Sequence, residues 1–180
     1  MIQICGMNKY IHSVFVLTLI FSSIPTYSQD NRIEKIRQTV EKINKDLGYS
    51  KKVLDGEAFL EEATDGGGEL TGYFKNGELV KISEWIGLSS CIRVTEYYLQ
   101  SHHLIFTYTQ EKDFAYSDSL KTFNPQKQIL KMECRFYFEN DKMIKNIFNG
   151  ESRCSGKPKV EWSKSYLQEC FKYEKLLEKK

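Results

Sequence analysis

The dipeptide Asn76-Gly77 stands between two runs of strand-forming residues, in GYFKNGELVKI. It constrains the fold of this chain more than any other short segment. Both central residues of a type I′ turn need positive φ, which Asn and Gly tolerate best, so the segment predicts a two-residue β-hairpin. Folding about it sets Lys75 opposite Glu78, Phe74 opposite Leu79 and Tyr73 opposite Val80. The scheme returns about Asn140-Asp141, with Glu139 facing Lys142, Phe138 facing Met143 and Tyr137 facing Ile144. It returns again about Ser101-His102, with Gln100 facing His103, Leu99 facing Leu104 and Tyr98 facing Ile105. Ser-His is a poor type I′ pair, so a longer loop is expected there. Each cross-strand pair of this kind contributes roughly 0.2–1 kcal/mol.

Three hairpins in series predict an antiparallel β-meander of about six strands. The repeats are unevenly spaced, which excludes a regular solenoid. The interval over residues 111–130 holds Asn124-Pro125, a turn signal, and reads as a loop between the fourth and fifth strands. An amphipathic helix is expected on each side of the meander. In the first, residues 31–47, the residues Ile33, Ile36, Val40, Ile43 and Leu47 recur at steps of three and four. Asn31 suits its N-cap, Glu41 and Lys45 an i, i+4 pair, and Gly48 a left-handed stop. The second, residues 160–178, carries Trp162, Tyr166, Cys170 and Leu177 on a broad apolar stripe. Residues 49–65 read as a short helix or an edge segment, followed by the punctuating run Gly66-Gly67-Gly68. The fold class is therefore α+β, with the meander flanked by the two helices.

The ends and the cysteines set the context. Residues 11–24 form an apolar run of signal-peptide length after the charge of Lys9, with Pro25 beyond it. Thr26 and Ser28 make a small-x-small cleavage pattern. Residues 1–28 are thus expected to be a signal peptide and residues 30–180 a single domain, periplasmic or secreted, with no transmembrane segment once the leader is removed. Cleavage removes Lys9 and no acid, so the 26 Lys and Arg against 24 Asp and Glu fall to a net charge of +1. A balance so near neutral gives no electrostatic reason to expect nucleic acid. Cys91, Cys134, Cys154 and Cys170 remain. In an oxidising compartment an even count permits two disulfides, in three pairings, with Cys154 and Cys170 the nearest pair in sequence.

The segments GGGELTGYFKNGELVKI, EYYLQSHHLIF and FYFENDKMIK resemble uncharacterised exported proteins of Gram-negative bacteria, over roughly residues 70–148. The hairpins are more distantly similar to MORN-type repeats. The arrangement of a helix on a meander sheet is similar to PepSY and β-lactamase-inhibitor-like periplasmic modules. The first resemblance implies export and carries no activity. The second implies an interaction scaffold.

The inventory for chemistry is thin. There is no G-x-S-x-G elbow and no phosphate loop, and the cysteines lack C-x-x-C spacing. His102 and His103 are adjacent, so on a strand they point to opposite faces and cannot share a metal. At a turn they could, with a carboxylate's help. No metal or cofactor is expected. Glu84, Glu96, Glu133 and Glu139 fall in strands, and alternation turns most of them to water. Tyr73, Tyr98 and Tyr137 recur on one face of the sheet. Left uncovered, their rings would form an amphipathic binding platform; beneath a helix they would be core. The expected function is a non-enzymatic interaction module that binds a protein or envelope component through the sheet face or hairpin tips, with Tyr73, Tyr98, Tyr137, His102 and His103 as contact residues. The alternatives are a carboxylate-dependent hydrolase, which needs a cleft with two convergent acids, and an inhibitor or immunity-type protein whose segment 111–130 enters a partner enzyme.

Overall fold

The computed structural model describes residues 26–179. The expected leader lies outside them except for its last three residues, which form the first turn of a helix. The elements in chain order are α1 (Thr26–Lys45), β1 (Ser50–Asp55), α2 (Gly56–Phe59), β2 (Gly68–Lys75), β3 (Glu78–Gly87), β4 (Cys91–Gln100), β5 (His103–Ser117), β6 (Thr122–Glu139), β7 (Lys142–Gly150) and α3 (Trp162–Glu178). The strands form one antiparallel sheet in the order β1-β2-β3-β4-β5-β6-β7, a meander without crossovers. It has one strand more than expected, because Ser50–Asp55 pairs with β2 as an edge. Among the described residues no helix is long and apolar enough to cross a membrane.

All three expected hairpins form, and all three turns have two residues. Asn76, Ser101, His102, Asn140 and Asp141 have φ between 50° and 64°, and Gly77 has φ 86°. Ser101-His102 therefore makes the same tight turn as the other two, and no longer loop replaces it. The charged and inner apolar pairs meet as expected, but the next pair does not. The register shifts by a β-bulge between Tyr73 and Phe74, between Tyr98 and Leu99 and between Tyr137 and Phe138, so Tyr73 faces Lys81, Tyr98 faces Phe106 and Tyr137 faces Lys145. Val80, Ile105 and Ile144 are the extra residues. A bulge sets two consecutive side chains toward one face, and Ile105 and Ile144 pack beside the tyrosines.

Residues 111–130 are not a loop. β5 and β6 run on past their neighbours and pair with each other as far as Ser117 and Thr122. β4 accompanies β5 only to Asp113, and β7 accompanies β6 only from Met132. Residues 114–131 thus form a two-stranded arm beyond the sheet. Asn124-Pro125 lies in a bulge of that arm, where a missing N–H costs no ladder bond.

A helix covers each face of the sheet. Leu70, Leu79, Ile82, Tyr97, Leu99, Phe136 and Phe138 pack against Tyr166, Cys170, Tyr173 and Leu177 of α3. On the other face Tyr98, Ile105, Phe106 and Tyr137 meet Ile33, Ile36, Val40 and Ile43 of α1. The α1 stripe is as expected, but its ends are not. The helix begins before Asn31, which is therefore not its cap, and it stops at Lys45, leaving Leu47 exposed. Gly48 does not adopt positive φ. Its N–H instead donates to Asp46 Oδ1 at 2.8 Å, which tightens the exit from the helix. Gly66 has a packing role: its backbone meets that of Gly87 so closely that an added Cβ would lie 2.6 Å from Gly87 Cα.

Candidate functional site

The polar residues beneath α3 gather at its N-terminal end. Strand alternation brings Glu84 of β3, Arg93 and Thr95 of β4 and Glu111 of β5 to the face that α3 covers. Glu84 lies opposite Thr95, and Arg93 opposite Glu111. Helix α3 adds Trp162, Tyr166 and Glu169, spaced by four and three so that they share its inner side. With Ser155 these residues line a cleft of about 180 Å³.

One wall comes from the loop after β7, and a disulfide holds it there. Cys91 at the start of β4 is bonded to Cys154. Ser152 and Ser155 then donate to the two carboxylate oxygens of Glu111, and Asp113 accepts the Arg153 N–H at 3.2 Å. Of the pairings left open by the sequence, only Cys91 with Cys154 forms, and the pair nearest in sequence, Cys154 and Cys170, is not bonded. Cys170 points into the core from the middle of α3 and is a free buried thiol, as is Cys134. Burial pushes the Cys134 thiol up to about 12 and the Cys170 thiol higher still, so both are protonated and unreactive.

The electrostatics of the cleft are unusual for a structural core. Glu84 is 3% exposed and Glu111 is fully buried. Tyr173 donates to Glu84 Oε1 and Tyr97 to Glu169 Oε2, at 2.5 and 2.7 Å. The second oxygen of each carboxylate has no partner among the described residues, and neither is sealed off, so both open to the cleft. Burial raises the Glu169 carboxyl above its ordinary value, against the Tyr97 hydrogen bond, and the Glu84 charge adds to the rise. The Arg93 side chain makes no hydrogen bond or ion pair to any described residue. Burial opposes its charge, but the carboxylates of Glu84, Glu111 and Glu169 outweigh that and hold the guanidinium above its ordinary value. A guanidinium with free donors therefore faces two carboxylates with free acceptors.

The other strand acids sit on the α1 face. Glu96 pairs with Lys81 at 2.6 Å, Glu133 with Arg135 at 3.2 Å, and Glu139 with Arg32 at 2.6 Å. Only Glu84 of the four reaches the cleft. Glu169 sits inside a stripe read as apolar. Spacing from Trp162 and Tyr166 could have marked it as inward-facing.

Of the two places open to the tyrosines, beneath a helix or on a free face, two of the three take the first. Tyr98 and Tyr137 are 1% and 3% exposed beneath α1, and only Tyr73 is partly open. The Tyr98 hydroxyl donates to Glu96 at 2.7 Å and lies 3.0 Å from Asn44, and Arg37 lies over the Tyr137 ring. Lys81 stands over both Tyr73 and Tyr98. These rings are core with cations stacked on them, not a platform, because α1 has an apolar stripe of its own to bury. His102 and His103 are exposed at the β4–β5 turn and face different partners: His102 Nδ1 lies 2.6 Å from Glu174 Oε1, and His103 Nδ1 lies 3.4 Å from Asp141.

The arm rises from the rim of the cleft. Arg153, next to Cys154, stacks on Phe123 and donates to the Phe114 carbonyl, fixing the base of the arm to the cleft wall. Tyr116, Leu120, Ile129 and Leu130 all stand exposed along it. No family model matches this chain, and no curated protein or solved structure matches it.

Proposed function

We propose that the chain is an exported, non-enzymatic interaction module that docks a protein partner on the β5–β6 arm and seats a polar group of that partner in the cleft at the arm's base. The observation that carries this reading is the arm itself. Four large apolar side chains on a two-stranded projection are held out of the core, beside a cleft that offers an unpaired guanidinium and two open carboxylate oxygens. Exposed apolar groups concentrated in one place suit a docking surface better than solvent. The cleft is too small for a drug-sized molecule but fits the end of one side chain or one headgroup. Since it presents charges of both signs, the group that fits it best carries a donor and an acceptor together, as a chain terminus or a zwitterionic headgroup does. Binding through the tyrosine face is set aside, because α1 occupies it. The inhibitor reading is the case in which the partner is an enzyme.

The experiment is capture from envelope extract by the mature protein, with paired variants. Leu120→Asp with Ile129→Lys alters only exposed side chains, and Arg93→Met removes the cleft donor. The expected result is a captured protein that is lost with the arm variant and weakened at least tenfold by Arg93→Met. Equal capture by all three forms would overturn the reading.

A carboxylate-dependent hydrolase is the second reading. It is favoured by one observation: a carboxyl with a raised pKa, Glu169, lies near the carboxylate of Glu84, as general acid and base would. Turnover of a model glycoside or ester that disappears in Glu169→Gln would decide for it.

A further inference from the structure

At the opposite end of α3 from the cleft, three potential metal ligands converge from two elements. Glu174 and Glu178 are one helical turn apart and share a side of α3. His102 reaches them from the β4–β5 turn. One ligand atom from each lies within 4.8 Å of the others. His102 Nδ1 is 2.6 Å from Glu174 Oε1 and 3.8 Å from Glu178 Oε1. Two ligand atoms about 2.0–2.1 Å from a tetrahedral zinc ion stand roughly 3.4 Å apart. The observed separations lie on either side of that value.

Two further observations separate this trio from an ordinary surface cluster. Glu174 is only 9% exposed, and its second oxygen has no partner among the described residues without being sealed from solvent. A carboxylate so deeply placed needs positive charge beside it, which a bound cation supplies. The trio also borders a groove of about 490 Å³, walled by Leu104, Leu167 and Phe171. A fourth coordination position therefore has room for water or an external ligand.

We propose that His102, Glu174 and Glu178 form a binding site for a divalent transition-metal ion, with zinc the best fit. One imidazole nitrogen and two carboxylates suit such ions, whereas the nitrogen donor argues against calcium and magnesium. The ion takes the place of the Nδ1 proton, which leaves to solvent, and Nε2 keeps its own. Three protein ligands and one open position are the pattern of reactive rather than purely structural zinc sites. The bound ion would also tie the β4–β5 tip to α3. His103 is not a ligand, because it turns toward Asp141.

The test is titration of the purified mature protein with zinc alone, read by calorimetry, with cobalt(II) absorption as a report on geometry. One ion per chain is expected, with a rise in thermal midpoint. Asn tolerates the positive φ of residue 102, so His102→Asn keeps the turn, and Glu178→Gln alters an exposed side chain. Each is expected to weaken binding by about 100-fold or more, since losing even a group that only orients a ligand costs about 10–100-fold, while His103→Ala stays within about threefold of wild type. Absence of saturable binding at millimolar zinc, or wild-type affinity in both ligand variants, would overturn the proposal. This site is independent of the arm, so capture and metal binding can fail separately.

Discussion

Glu169 is set by its surroundings more than by its own chemistry. Burial raises its carboxyl, and the charge of Glu84 adds to the rise. A raised acid favours the folded state below its unfolded pKa, and that contribution is lost as pH climbs through the folded value. At neutral pH its ionised form is therefore a cost. Glu169→Gln keeps an acceptor for Tyr97 and removes the charge. It is expected to raise the thermal midpoint at pH 7 by a few degrees, at about 3 °C per kcal/mol. The gain should vanish as pH falls through the ordinary carboxylate range, which thermal melts from pH 3 to 8 would follow. Glu133 has the opposite sign. The Tyr108 hydroxyl, with help from Arg135, lowers it, so its stabilisation is present above the usual carboxylate pKa and is lost on acidification. At the turns, Asp141 holds φ 58°, a region glycine enters without penalty. Asp141→Gly should stabilise by roughly 0.5–1 kcal/mol in urea denaturation, since the exposed His103 contact it removes contributes little.

At the scale of elements, α1 shows what an amphipathic stripe can and cannot specify. Its spacing marks Ile33, Ile36, Val40 and Ile43 as inward-facing, and they are. It does not say which face of the sheet they meet, and the tyrosines were open to either reading for that reason. Ile33 is 2% exposed against Tyr98, Phe106 and Tyr137. Ile33→Ala should cost about 2–4 kcal/mol, read from the urea midpoint at constant slope. The bulges were also beyond the hairpin pattern. Turn chemistry sets the first two pairs, whereas the extra residue is selected by what it packs on, as Ile105 and Ile144 do beneath α1. The cleft wall depends on the Cys91–Cys154 bond, which spans 63 residues. Replacing both by alanine should cost about 4 kcal/mol in the chain-entropy picture. In the native protein Cys134 and Cys170 should stay unreactive to a thiol reagent until unfolding.

For the whole molecule the two layers differ in weight. The face under α3 buries an aromatic cluster that includes Tyr97, Phe136, Tyr166 and Tyr173, while α1 covers a smaller set around Tyr98 and Tyr137. Opening free energies scale with buried apolar contact. Amide exchange should therefore be slowest in the paired parts of β4, β5 and β6, faster in α1, and fastest in the arm, residues 114–131. Equal protection of α1 and β5 would contradict that ranking.

Turn positions, strand pairing near each turn, the meander order and the presence of two terminal helices were legible in the sequence. Each is encoded within a few neighbouring residues: a dipeptide that accepts positive φ, an alternation, a stripe with helical spacing. The side of the sheet each helix covers, the partner of Cys91, the fate of residues 111–130 and the company of Glu84 were decided only in three dimensions. These depend on contacts between segments as far apart as Glu84 and Tyr173, or Cys91 and Cys154. Local patterns leave such contacts degenerate, and only the combined burial of both sheet faces selects among them.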